Sequence, residues 1–228
     1  MLLEVIVQTL ADARAARRGG ADRLEVVREI ERDGLTPDME LVRAIALETG
    51  LPLRVMVRDS EGFAVTGRDE IARLQDAFAA CASLGVDGAV IGYARDGELD
   101  LETTRTVAAV APGLSMTFHR AFDAASDPWR AIERLRALPQ VDRILTTGGT
   151  GSWESRCRTL ARYRGHAGAR PIILAGGGVD EGALRQFAAA GCVLEAHVGK
   201  AACEPQITGA PVSEERVRRL KDLARAAS

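Results

Sequence analysis

Short apolar runs rich in β-branched residues alternate along the whole chain with longer segments of helical period. The runs are Leu2–Val7, Arg23–Val27, Leu53–Val57, Ala89–Ile91, Leu114–Phe118, Arg143–Thr146, Ile172–Ala175 and Val193–Val198, and a helical stretch follows each. This pattern predicts eight βα units. Related turns introduce several of the strands: GGADRLEV at Gly19, LGVDGAVI at Leu84, PQVDRILT at Pro139 and AGCVLEAH at Ala190. Helix starts are signalled by Thr36-Pro37, Asp127-Pro128, Asp180 and Ser213, each a capping residue, two of them with proline in the first helical position. Eight repeats with no linker or low-complexity break predict an α/β fold, a single (β/α)8 TIM barrel over 1–228. An open, doubly wound sheet is the alternative.

The composition agrees with this architecture. Its 228 residues are 46% hydrophobic and 27% charged, and aromatic residues make up only 4%, which leaves the core to Ala, Leu, Val and Ile, as in buried parallel sheets. Thirty basic against 32 acidic residues leave a net charge of −2, so no basic excess exists to follow a nucleic-acid backbone. No apolar run reaches the roughly 18–20 residues needed to cross a bilayer. The opening MLLEVIVQTL lacks a basic region followed by a cleavage site, so a cytoplasmic protein is expected. The four cysteines, Cys81, Cys157, Cys192 and Cys203, show no CxxC spacing and read as free thiols.

Candidate chemistry comes from strand parity. Barrel strands alternate residues that face the helices with residues that face the axis. Leu114, Met116 and Phe118 form one apolar face of the fifth strand, which turns Ser115, Thr117 and His119 inward. The same alternation turns Glu4, Gln8, Glu25, Arg54, Met56, Arg58, Glu195 and His197 toward the axis. So many charges cannot stay unpaired in a barrel interior. One reading pairs Glu4, Glu25 and Arg54 low in the barrel as a purely architectural plug, with Glu195 also in the structural polar core. Residues at the strand C-termini point instead to function, because active sites of this fold occupy that end. There His119 is the candidate general acid/base, Asp123 or Glu25 its orienting or proton-sharing carboxylate, and Arg58, Arg120 and His197 candidate substrate contacts. His166 falls at the opposite end and reads as a solvated side chain.

A further expectation concerns the last two strands. Gly176-Gly177-Gly178-Val179 leads into a helix opening at Asp180, and Gly199-Lys200 follows the eighth strand. Amides of Gly177, Gly178 and Gly199 beside the Lys200 ammonium would suit a phosphate or similar small anion. The competing reading is that Asp180 caps the helix itself and the glycines serve only the turn.

The segments GADRLEV, GLTPD, TFHRAFD, RILTTGG, ILAGGGV and LEAH, in this order from Leu2 to about His197, resemble the CutC family. The resemblance implies a (β/α)8 barrel, a cytoplasmic and often dimeric protein, and a role in copper homeostasis. Many members of that family carry cysteines in or just after strands one and two, where this chain reads Val5-Ile6-Val7-Gln8 and Val26-Val27-Arg28-Glu29. Copper is therefore left with His119, His197 and Cys203 as available ligands, a poor set for Cu(I), which prefers soft sulfur donors. Three functions stay open: copper handling, an enzyme acting on a small anionic or sugar-like substrate, and a scaffold whose charged interior is structural.

Overall fold

The computed structural model describes residues 1–225. Its strands are β1 (Leu2–Val7), β2 (Arg23–Val26), β3 (Leu53–Met56), β4 (Gly88–Ile91), the two-residue strands β5 (Ala94–Arg95) and β6 (Glu98–Leu99), β7 (Met116–Phe118), β8 (Val141–Thr146), β9 (Ile172–Ala175) and β10 (Glu195–Val198). Eight of them close into a parallel barrel in the order β1-β10-β9-β8-β7-β4-β3-β2. The small antiparallel hairpin β5–β6 is the one sheet addition that the alternation of runs does not predict.

Among the described residues eight α-helices surround the barrel: α1 (Leu10–Gly19), α2 (Met39–Thr49), α3 (Arg68–Leu84), α4 (Leu101–Ala108), α5 (Pro128–Arg136), α6 (Trp153–Ala167), α7 (Glu181–Ala190) and α8 (Glu214–Arg225). Their starts are capped largely as expected. Asp127 accepts hydrogen bonds from Trp129 and Arg130 ahead of Pro128, and Asp180 accepts one from the Ala183 amide at 2.8 Å. Helix α2 differs, because Asp38 and not Thr36 is its cap. The Thr36 hydroxyl exchanges hydrogen bonds of 2.9 Å with the backbone of Arg58, which ties the β2–α2 loop to the end of β3.

The apolar core lies between sheet and helices. Val5, Leu24, Val55, Ala89, Met116, Phe118, Ile144, Ile173 and Ala196 are all buried there. Inside the barrel the opposite parity carries the charge. Arg23, Arg54, Glu4, Glu25, Glu195 and His197 are each at most 7% exposed. Arg54 on β3 reaches across to Asp142 on β8 at 2.6 Å, which only an axis-facing side chain can do.

The cysteines depart from expectation. Cys157 on α6 and Cys192, just before β10, form a disulfide with a Cα–Cα distance of 5.7 Å, and only Cys81 and Cys203 are free thiols. The two sulfurs meet because α6 and α7 pack side by side on the outside of the barrel, a juxtaposition that a separation of 35 residues conceals. No helix among the described residues is long and apolar enough to cross a membrane.

Candidate functional site

The polar interior divides into two layers. In the lower one, Arg23 bonds to Glu4 and to Glu195, the latter at 2.6 Å. Arg143 bonds to Glu195 at 2.8 Å and to Asp142, and Arg54 joins Asp142 to Asp87 at 2.7 Å. The expected Glu4–Glu25–Arg54 trio does not form. Glu25 and Arg54 are register partners on adjacent strands, but the arginine is long enough to pass over β4, where a Cβ on Gly88 would lie 2.3 Å from its Nη1. Its charge is spent on the aspartates beyond. Every carboxylate of this layer thus has a guanidinium partner, as buried charges require.

The upper layer is built differently. Glu4 Oε1 meets Nδ1 of His197 at 2.7 Å, and Glu25 Oε2 lies 3.6 Å from the same nitrogen. Burial alone would neutralise Glu4, but Arg23 and His197 overcome it and hold the carboxyl well below its usual range. Burial likewise disfavours the His197 imidazolium, yet Glu25 and Glu4 outweigh it and push its pKa up. Glu25 has no such bond. Burial raises its pKa from 4.5 to about 7, with the neighbouring Glu4 charge adding to the effect, so near neutral pH it is poised between acid and base.

His119, directly after β7, is held by local structure. Its Nδ1 accepts the Ala121 amide at 3.1 Å as the cap of a 3-10 turn over Arg120–Ala124. Phe63 covers the ring at 5.4 Å between centroids, and Gly92 leaves it room, since a Cβ there would lie 2.9 Å from Nδ1. Burial, reinforced by the Arg58 charge, lowers its pKa to about 3. The ring is therefore neutral, and because Nδ1 accepts, its hydrogen is on Nε2.

A cavity of about 420 Å³ opens at the C-terminal end of the barrel, lined by Glu25, Arg58, His119, Arg120 and His197 and by Gly177, Gly178, Gly199 and Lys200 among others. Three buried polar atoms of lining residues lack any partner: Glu25 Oε2, Arg58 Nε and His119 Nε2. The structure thus brings together every mouth residue expected from the sequence except Asp123. That carboxylate accepts from the Thr146 hydroxyl at 2.5 Å and the Thr147 amide at 3.1 Å, and it lines an adjoining cleft with Arg156 and Tyr163 that shares Arg120 and Gly177 with the cavity. It neither orients His119 nor shares its proton, because the Ala121 amide already holds Nδ1. Among the residues missed, Arg23 has the same parity as Glu25. Asp12, Asp33 and Phe63, also on the cavity wall, sit in loops or on a helix where alternation gives no signal.

The sequence profile of the CutC family matches residues 1–202. The chain belongs to the CutC family. A CutC family protein of Xylella fastidiosa is 36% identical over 181 residues, 79% of this chain and 67% of the relative. The human protein named copper homeostasis protein cutC homolog is 32% identical over 86% of this chain and 72% of its own length. A solved CutC structure from Streptococcus agalactiae superposes with a TM-score of 0.79 at 25% identity, covering 87% of this chain and 98% of that one.

Copper can be tested against the donors that this CutC barrel holds. Glu4, Glu25 and His197 place one ligand atom each within 4.8 Å of one another. Two carboxylates and an imidazole are hard and borderline donors, whereas Cu(I) selects thiolate and thioether. Cys157 and Cys192 are consumed in the disulfide, and Cys81 is buried with its pKa pushed up to about 12 by desolvation. Cys203 alone lines the cavity, with its thiol pKa raised by burial. His119 presents Nε2–H, a donor and not a lone pair. The residues present do not fit Cu(I).

Proposed function

We propose that the mouth cavity binds a small anionic, sugar-like or phosphorylated metabolite and carries out acid–base chemistry on it, with Glu25 and His119 as the catalytic pair. The observation that carries this reading is that three residues lining one cavity, Glu25, Arg58 and His119, each hold a buried polar atom without a hydrogen-bond partner. Buried polar groups are mostly hydrogen-bonded, and the charged side chains of the lower layer are all paired, while Thr117 Oγ1 and Tyr93 Oη are further buried atoms without a partner. The Glu25 carboxyl, the Arg58 guanidinium and the His119 imidazole belong to residues that line one space and match an oxygen-rich ligand.

An anion subsite fits the opposite wall. Gly177 and Gly178 both have positive φ, at 71° and 90°, and lie beside Gly199 and the exposed Lys200. Asp180 occupies the start of α7 as its cap, so the amides offered to a ligand are those of the loop before it. Arg120, at the rim, adds a second cation.

A thermal-shift screen against sugar phosphates and other small anions checks this, because a ligand stabilises the folded state in proportion to its saturation. His119→Ala and Arg58→Ala are expected to abolish the ligand-induced rise while leaving the ligand-free melting temperature within a few degrees. Lost stabilisation from Arg54→Ala with His119→Ala and Arg58→Ala unaffected would move the site to the lower layer. For copper, competition against a strong Cu(I) chelator is expected to leave the metal with the chelator. Stoichiometric retention of Cu(I) would overturn the assignment of the cavity to a metabolite.

A further inference from the structure

From the types of the unpartnered groups on the residues that line the cavity we infer the reaction class: the cavity enolises a phosphorylated α-hydroxycarbonyl compound, interconverting its aldose and ketose forms. This rests on the proposed anion-binding function and goes one step further, to the bond that breaks.

Glu25 lines the cavity, and its carboxyl makes no hydrogen bond, Oε2 being buried 3.6 Å from Nδ1 of His197. Directly adjacent groups keep it fixed: His197 holds the space on one side, and Glu4, pinned by Arg23, holds His197. From β7, two strands beyond β3, comes a neutral imidazole locked by the Ala121 amide with its Nε2–H free. Arg58, just after β3, lines the same cavity, with Nη2 donating to the Arg32 carbonyl at 2.8 Å and Nε left without a partner. A neutral imidazole is a weaker acid than imidazolium and thus better matched to an enediolate oxygen, to which it lends a hydrogen bond without losing its proton outright. Such a donor would be wasted on a leaving group that needs full protonation. A carboxyl and two donor side chains lining one cavity are the groups that proton abstraction next to a carbonyl requires.

The step balances without any oxidant or metal. Glu25 takes the proton from the carbon bearing the hydroxyl. The C–H electron pair becomes the carbon–carbon double bond, and the carbonyl π pair moves onto oxygen, where His119 Nε2–H and the Arg58 guanidinium meet the charge. The hydroxyl proton passes to that oxygen, and Glu25 returns its proton to the neighbouring carbon. The carbonyl has then moved by one position, and Glu25 is ionised again for the next turnover. A group with a pKa of about 7 accepts and releases a proton on both strokes with little bias.

The experiment is proton exchange in heavy water. The wild-type protein is incubated in D2O with a panel of three- to six-carbon aldose and ketose phosphates, including dihydroxyacetone phosphate and ribose 5-phosphate, and the carbon-bound hydrogens are followed by proton NMR. Thermal shifts are recorded for the same compounds. The expected result is deuterium at the carbon next to the carbonyl for at least one compound, reduced about 100-fold or more in Glu25→Gln, while that variant keeps the thermal shift. Phosphoglycolohydroxamate, which mimics the enediolate, is expected to bind at least tenfold more tightly than 2-phosphoglycolate, an advantage lost in His119→Ala. If panel members stabilise the protein but no deuterium enters above the Glu25→Gln level, the enolisation is overturned and anion binding stands. If no member of the panel stabilises the protein and none exchanges, both readings fall.

Discussion

Arg23→Ala is expected to lower the free energy of unfolding by about 3–5 kcal/mol, the cost of stranding buried carboxylates. The guanidinium is 2% exposed and is shared by Glu4 and Glu195. With it removed, Glu4 retains only His197, and Glu195 retains only Arg143. Neither carboxylate can reach water from its place on the axis, so the structure must either protonate them or open. For a chain of this length the loss corresponds to roughly 10 °C in melting temperature. Denaturant titration at neutral pH checks it, with Arg14→Ala as the control. Arg14 also holds a carboxylate bidentately, that of Glu48, but both side chains are about half exposed at 48% and 40%, and an exposed pair contributes about 1 kcal/mol or less. Equal small losses for the two variants would show that the lower layer is not the sealed network described above.

Much of that network is legible in the chain, and the limits are instructive. Period-two alternation finds Glu4, Glu25, Arg58, His119, Glu195 and His197 because each lies on or just beyond a strand whose other face is uniformly apolar. Arg23 obeys the same alternation yet hides in the turn GGADRLEV, which reads as a strand entry. Asp87 and Asp142 hide likewise in LGVDGAVI and PQVDRILT. Their pairing with Arg54 depends on which strands face each other across the axis, and that follows from closure of the sheet, not from any local signal. Polarity at the mouth is likewise legible, but the states of its groups are not. Only the Ala121 amide on Nδ1 makes His119 a neutral donor, and only the commitment of Glu4 to Arg23 and His197 leaves Glu25 unbonded. The Cys157–Cys192 bridge belongs to the same class of fact, since it follows from helix packing on the barrel exterior.

Glu25→Gln is expected to stabilise the protein at alkaline pH, and this separates a retained functional group from a structural one. The sign follows from the two states of the carboxyl. Below pH 4.5 folded and unfolded chains both hold the proton, and stability does not depend on it. Between 4.5 and about 7 the unfolded chain is ionised while the buried group keeps its proton, so stability falls by about 1.4 kcal/mol per pH unit. Above that window the loss is complete, at about 3 kcal/mol. Glutamine removes it. His197 works in the opposite direction: its raised pKa gives stability that is present below its unfolded value and lost as pH rises through the folded one. Without Glu25 that loss begins at lower pH and subtracts from the gain. The variant should therefore be more stable than wild type by about 1–3 kcal/mol near pH 8 and within about 1 kcal/mol of it near pH 5. Chemical denaturation at the two pH values measures the difference. A Glu25→Gln variant destabilised equally at both would mean that the carboxyl holds the barrel together, and the reason for leaving its Oε2 without a hydrogen bond would have to be sought elsewhere. The predicted outcome is the one expected of an acid–base group: a charge that the fold tolerates at a cost and that only a bound substrate can satisfy.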